Sequence, residues 1–147
     1  MVVMAALVVA ADQLTKLWVS RALDPGQSVP VVGIFHISYV TNTGAAFGIL
    51  RGQSMLLTVA ALVVVAALLI FYRQFASISP VTRISLGLVL GGSLGNLVDR
   101  LRLGHVVDFL DFTYWPSFNV ADSSIVVGEI LLVYSVLFLM SRKKDSA

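Results

Sequence analysis

The chain has 147 residues, of which 58% are hydrophobic and 12% are charged, and its formal net charge is +2. A soluble domain carries about 25% charged residues, and a fold of this size could not keep so much apolar surface away from water. The composition therefore excludes a soluble or disordered protein, and the few, scattered basic residues exclude a nucleic-acid-binding face. The sequence has no cysteine, which excludes a disulfide framework and a thiol nucleophile. We expect a single membrane-embedded domain over residues 1–147.

The first apolar stretch predicts a membrane span over residues 2–22. It is uncharged as far as Ala11 and then carries Asp12 and Lys16. A secretory signal peptide is the alternative, but residues 1–4 contain no lysine or arginine to form a basic leading region. Because Asp12 and Lys16 are four residues apart, they share a helix face and can pair. The pair either anchors the span or takes part in binding a substrate.

The segment after the first span is predicted to contain strands. Ser28 to Val40 is rich in valine, isoleucine and aromatic residues, and it lies between Pro25-Gly26 and Asn42-Thr43-Gly44. Such residues bounded by turn residues indicate one or two short strands.

Three further apolar stretches, residues 54–72, 84–99 and 121–140, predict the other spans of a four-helix membrane bundle. The first of them carries no charge over a length close to the thickness of a bilayer core. Four spans place both termini on one side of the membrane. The positive-inside rule favours the cytoplasm for that side by five basic residues to four, so both termini are predicted to be cytoplasmic.

Two features stand out inside the third and fourth spans. Gly87, Gly91 and Gly95 recur every four residues on one face, so a neighbouring helix can approach closely. Glu129 lies near the middle of the fourth span. We expect it to face the interior of the bundle, with its role open.

Aromatic residues are concentrated just before the fourth span. Because such residues gather at the headgroup level of a bilayer, we expect an interfacial segment that covers a site and excludes water. Its members are Phe109, Phe112, Tyr114, Trp115 and Phe118.

The few acidic residues indicate where chemistry takes place, because a charge inside a span costs at least ~2.5 kcal/mol. Asp108 and Asp122 both have apolar neighbours near the outer ends of spans. If they face each other, repulsion between them makes the pair share one proton. That is the working state of an aspartic protease, in which one carboxylate takes a proton from water and the other acid polarises the scissile carbonyl. Asp111 is either a rival to Asp108 or a solvated loop acid.

Two other function classes fit the same acids. A proton- or ion-coupled transporter could use them as a relay, although four spans are few and no inverted repeat is evident. A structural membrane subunit could bind a partner through its polar rim. A metal enzyme is not expected, because His36 and His105 have no ligand spacing around them.

Five short blocks lie in order along most of the chain: Asp12-Gln13-Leu14-Thr15-Lys16, Asn42-Thr43-Gly44-Ala45-Ala46-Phe47, Gly92-Ser93-Leu94-Gly95-Asn96-Leu97-Val98-Asp99-Arg100, Val106-Val107-Asp108-Phe109 and Phe118-Asn119-Val120-Ala121-Asp122. Together they resemble the signature blocks of the lipoprotein signal peptidase family, also called signal peptidase II. One block alone is weak evidence, whereas five in order are specific.

The resemblance implies a four-span aspartic endopeptidase of the bacterial inner membrane, with a small β element and the active site near the outer face. Such an enzyme removes the signal peptide of a prolipoprotein by cutting just before a cysteine that bears a diacylglyceryl group. The resemblance also implies a membrane-lipid environment, inhibition by globomycin, and no metal or organic cofactor. We expect a monomer without a nucleic-acid partner.

The resemblance also assigns roles to residues in the five blocks. The catalytic dyad would be Asp108 and Asp122. The substrate would be held by Asn42, Asn96, Arg100 and Asn119. The site would be shaped by Asp12, Lys16, Gly44 and Asp99.

Overall fold

The computed structural model describes residues 1–44, 49–76 and 79–145, with side chains for all of these except residues 73, 75, 76 and 138–145. These ranges form four helices and four strands: α1 (Val2–Ala22), β1 (Ser28–Val32), β2 (Phe35–Asn42), α2 (Ser54–Ala76), α3 (Pro80–Leu103), β3 (Val106–Phe112), β4 (Trp115–Phe118) and α4 (Val120–Asp145). Each of the four helices is long and apolar enough to cross a membrane. The predicted membrane bundle with a small β element is confirmed.

Helix α3 extends four residues beyond its predicted span at each end. Ser79 caps its start by accepting a hydrogen bond from the backbone N of Thr82 at 3.0 Å, and Pro80 suits the first turn. Gly104 ends the helix in a left-handed conformation with φ of 77°. The predicted span was too short because it was drawn from the apolar residues alone, whereas the capping residues set the ends of the helix.

Helix α3 is the centre of the bundle, since the other three helices all pack against it. Its predicted glycine face lies against α1. A Cβ added at Gly91 would lie 2.7 Å from the Cβ of Val8, and one added at Gly95 would lie 2.6 Å from Oδ2 of Asp12. The close helix approach predicted from the glycine spacing is confirmed.

Gly92 makes the equivalent close contact with α4. A Cβ at this position would collide with the backbone carbonyl oxygen of Ala121. We therefore expect Gly92→Ala to lower the free energy of unfolding by about 1–3 kcal/mol through overpacking. The melting temperature of the detergent-solubilised protein measures the effect. Ser93→Ala, which adds no volume to the same helix, is the control, and equal melting temperatures for the two variants would contradict the contact.

The four strands form one antiparallel sheet in the order β1-β2-β3-β4. Strands β1 and β2 fall where they were predicted. The aromatic segment was not predicted as strand, yet β3 and β4 occupy most of it. Strand β3 pairs with β2, more than sixty residues earlier in the chain. Only the folded chain brings these partners together, so local sequence carries a weak signal for them.

The sheet connects directly to the bundle. Strand β3 begins shortly after α3, and β4 leads into α4. Because both connections are short, Asp108 in β3 and Asp122 in the first turn of α4 lie at the same end of the bundle. This end is called the sheet end below.

The prediction for Glu129 is wrong, because its side chain is exposed on the outer surface of α4. The neighbouring Gly128 faces α3, where an added Cβ would lie 2.8 Å from Cγ2 of Val89. Successive helical residues point about 100° apart. The close approach of α3 and α4 requires the glycine at the interface, so Glu129 points outward.

Candidate active site

Asn119 joins the two acids of the predicted dyad. Its Nδ2 donates a hydrogen bond to Oδ1 of Asp108 at 2.7 Å. Its Oδ1 accepts one from the backbone N of Asp122 at 2.9 Å, and its own backbone N donates to Oδ2 of Asp122 at 3.3 Å. This reciprocal pattern is a capping box at the start of α4. A local device that begins a helix therefore holds Asp108 and Asp122 in one hydrogen-bond network.

Two more asparagines donate to the acids. Nδ2 of Asn42 donates to Oδ2 of Asp108 at 2.9 Å, and Nδ2 of Asn96 donates to Oδ1 of Asp122 at 2.7 Å. The oxygen of each amide is occupied by a group that can only donate: the backbone N of Gly44 at 2.9 Å for Asn42, and Nζ of Lys16 at 3.0 Å for Asn96. The amide orientations are therefore determined, and the N–H groups point at the carboxyls.

Lys16 lies at the centre of a buried charge cluster beneath the acids. Its Nζ lies 2.8 Å from Oδ2 of Asp12 and 2.9 Å from Oδ2 of Asp99. Lys16 is 4% exposed and Asp12 is fully buried. Neither residue lines the cavity described below, so the predicted pair supports the site from behind.

Gln13 also belongs to this cluster, and sequence analysis gave it no role. Its Nε2 donates to Oδ1 of Asp99 at 2.9 Å, and it lies 3.2 Å from both Oδ2 of Asp12 and the carbonyl oxygen of Gly95. An amide next to a charged pair within an apolar span is the signal that could have identified it.

The remaining predicted residues also lie at the sheet end. Oδ2 of Asp99 accepts a hydrogen bond from the backbone N of Val107 at 3.1 Å, which ties α3 to β3 beside the dyad. A Cβ at Gly44 would lie 2.8 Å from the carbonyl oxygen of Ile49, so a side chain would clash there. Arg100 lines the cavity. Residues 45–47 of the second block lie outside the described ranges.

Asp111 lies outside the hydrogen-bond network that joins Asp108 and Asp122. It accepts a hydrogen bond from Oγ of Ser38 at 2.7 Å, and it lies opposite His36 in the sheet. Asp111 lies three positions after Asp108 along β3, so its side chain lies on the other face of the strand. The described residues include no group of three or more histidine, aspartate or glutamate side chains placed to hold a metal ion.

The pKa of Asp108 is raised to about 7, mainly by burial and in smaller part by the nearby Asp122 carboxylate. The hydrogen bonds from Asn42 and Asn119 and the charge of Lys16 act in the opposite direction. Asp108 can therefore hold a proton near neutral pH, which is the state that acid–base chemistry by two carboxyls requires.

A cavity of about 560 Å³ opens beside the acids. Asp122 lines it, whereas Asp108 is 1% exposed and lies behind Asn42. The polar end of the cavity is formed by Asn42, Asn96, Arg100 and Asp122. The apolar end is formed mainly by Trp115, Pro116, Phe118, Ile125, Val126 and Val127. Residues of the aromatic segment and of α4 therefore form one wall of an amphipathic groove.

Comparisons with known proteins agree on one family. The sequence pattern of signal peptidase (SPase) II matches residues 4–138. The lipoprotein signal peptidase of Halothermothrix orenii is 47% identical over 139 residues, which are 94% of this chain and 93% of the relative. That of Moorella thermoacetica is 47% identical over 135 residues, covering 91% and 90% of the two chains.

Solved structures show the same architecture. A bacterial membrane enzyme determined by the in meso method at 2.3 Å superposes with a TM-score of 0.89 at 34% identity, covering 96% of this chain and 89% of the other. A second, at 1.9 Å, gives a TM-score of 0.82 at 34% identity, covering 92% and 90%. The five sequence blocks, the fold and these matches agree: the chain belongs to the signal peptidase II family of membrane peptidases.

Proposed function

We propose that the protein is an aspartic endopeptidase that removes the signal peptide of prolipoproteins, cutting on the N-terminal side of a diacylglyceryl-modified cysteine. The observation that carries this proposal is the bridge by Asn119 between two carboxyls next to an amphipathic groove. The aspartic mechanism needs no metal or organic cofactor. The enzyme would lie in the bacterial inner membrane, with both termini in the cytoplasm and the sheet end outward.

The two acids have different environments, which suit different roles. Asp122 lines the cavity and acts as the base that takes a proton from water. Asp108, whose pKa is raised to about 7, carries a proton and donates a hydrogen bond to the scissile carbonyl oxygen once the substrate displaces Asn42, which lies in front of it. The water oxygen bonds to the carbonyl carbon, the C–N bond breaks, and the leaving amine takes up the proton from Asp122.

The groove fits a substrate with one polar and one lipid-like part. The peptide backbone around the scissile bond would meet the amides of Asn42 and Asn96 and the guanidinium of Arg100. The apolar wall would accept apolar parts of the substrate that enter sideways from the bilayer. Hydrolysis needs water, and an active site at the end of the spans has access to it.

Incubation of the purified protein with a diacylglyceryl-modified precursor tests the proposal. We expect one cut before the modified cysteine, no comparable cleavage of the unmodified precursor, and inhibition by globomycin. Mass spectrometry of the products locates the cut. Failure to cleave the modified precursor, or equal cleavage of both, would contradict the proposed substrate.

Activity should fall as pH rises through about 7, because the proton on Asp108 is then lost. The hydrogen bond from Asn42 lowers the pKa of Asp108, so Asn42→Ala should move this decline to higher pH. The measurement is kcat/KM between about pH 5 and 9, the range around a raised carboxyl pKa. A profile that stays flat through neutral pH would show that no such proton is needed.

A further inference from the structure

Glu129 lies on the same face of α4 as Asp122. The two residues are seven apart, which is about two helical turns, so Glu129 lies about 10 Å further along the axis and away from the sheet end. Its side chain is exposed, and it makes no hydrogen bond or ion pair with any residue whose side chain the structure describes. Because Val120–Leu137 is the apolar span of α4, this places a carboxyl near the middle of the bilayer facing lipid.

The face between the two acids is continuous with the cavity. Ile125 and Val126 line the cavity and lie between Asp122 and Glu129 on the helix surface. Beyond Glu129, Val133 and Val136 continue the same face and are 58% and 44% exposed. We call the residues Ile125, Val126, Glu129, Val133 and Val136 the α4 strip. It runs from the cavity into the bilayer and is not fully covered by the other helices.

We propose that the α4 strip holds the membrane-spanning signal segment of the substrate, and that Glu129 hydrogen-bonds a hydroxyl or amide side chain of that segment. This inference rests on the proposed function. A signal segment whose scissile bond is at the dyad must continue into the hydrocarbon region, and the α4 strip leads there from the cavity. If the segment is helical, its residue beside Glu129 is about seven residues before the cut.

A hydroxyl or amide is the favoured partner chemistry. A lipid-facing carboxyl is costly, and a hydrogen bond from a neighbouring helix lowers that cost. The centre of a signal segment is apolar and excludes charge, so a neutral polar side chain is the group that it can supply. Glu129 would then be a specificity-determining residue that favours signal segments with such a side chain at one depth.

A series of diacylglyceryl-modified precursors tests this inference. Each carries an all-leucine signal segment with a single serine, which is moved one position at a time. The wild-type protein should show a maximum in kcat/KM, about three- to tenfold above the serine-free precursor, with the serine about seven residues before the cut. Glu129→Leu should abolish this maximum, and Glu129→Gln should retain it because an amide still forms hydrogen bonds.

Moving the carboxyl provides the sharpest check. In the double variant Glu129→Leu/Val133→Glu, the maximum should move about one turn deeper, which is four residues further from the cut. Leu7 is 60% exposed on α1. Leu7→Glu is therefore a control that adds a lipid-facing carboxyl elsewhere and should leave the position of the maximum unchanged.

The possible failures are distinct. If the wild-type protein cleaves all precursors with equal kcat/KM, the inference is wrong while the proposed function stands. If it cleaves none of them, the proposed function fails and the inference with it. A third outcome is that all precursors are cleaved equally while the wild-type protein self-associates and the Glu129→Leu variant does not. That result would show that the α4 strip contacts a second copy of the chain.

Discussion

Asp108→Asn and Asp122→Asn are each expected to reduce cleavage of the lipid-modified precursor by about 10²- to 10⁴-fold, the contribution of a positioned acid or base. Asparagine keeps the size of the side chain but can neither take up a proton nor release one. In the wild-type protein, the Nδ2 groups of Asn42 and Asn119 donate hydrogen bonds to the carboxyl of Asp108. An asparagine at position 108 presents its own NH2 group to one of these donors, which cannot accept a hydrogen bond from it. The measurement is kcat with saturating precursor.

Asp111→Asn is the matched control for these two variants. Asp111 lies on the same strand as Asp108 but is hydrogen-bonded to Ser38 on the other face. The Asp111→Asn variant should retain activity within a few-fold of the wild-type protein. Melting temperatures of all three variants show whether each one folds. Substantial turnover by a folded Asp108→Asn or Asp122→Asn protein would remove that residue from the dyad.

Lys16→Met is expected to cause the largest loss of stability, about 3–5 kcal/mol, which is typical when one partner of a buried ion pair is removed. Methionine fills a similar volume but leaves Asp12 and Asp99 buried without their cation. It also removes the donor that orients the amide of Asn96 toward Asp122. We therefore expect a lower melting temperature together with a lower kcat.

Removing the charges together separates electrostatics from packing. The triple variant Lys16→Met/Asp12→Asn/Asp99→Asn leaves no unpaired charge in the cluster and should recover part of the melting temperature lost in Lys16→Met. Gln13→Leu, which removes a neutral member of the same cluster, should cost less than Lys16→Met. If Lys16→Met is as stable as the wild-type protein, the cluster does not support the site.

Hydrophobic runs predict the helices well because a bilayer-spanning helix must be apolar along its whole length. Residues 2–22 and 54–72 match the start and end of two spans. The ends of α3 were missed because they depend on Ser79 and Gly104. Strands β3 and β4 were missed because their aromatic residues also suit a membrane interface, and pairing with β2 distinguishes the two only after folding.

The ten residues to which the sequence assigned roles all lie at the sheet end, but their roles there differ. Asp122 faces the cavity, Asp108 lies behind Asn42, and Lys16 is hydrogen-bonded to Asn96, which in turn donates to Asp122. These differences depend on which side chain lies in front of another. Spacing along the chain carries no information about that order.

The sequence by itself determined a four-span membrane protein, its family resemblance and the set of polar residues at the site, because apolar length and local motifs are properties of contiguous residues. Only the tertiary structure decided that Gln13 joins the Lys16 cluster and that Glu129 is exposed on the outer surface of α4. Both outcomes follow from helix packing. Gly128 brings α4 close to α3, and Gly95 brings α3 close to Asp12 on α1. These contacts fix how α1 and α4 are rotated about their axes, and that rotation decides which polar side chains meet.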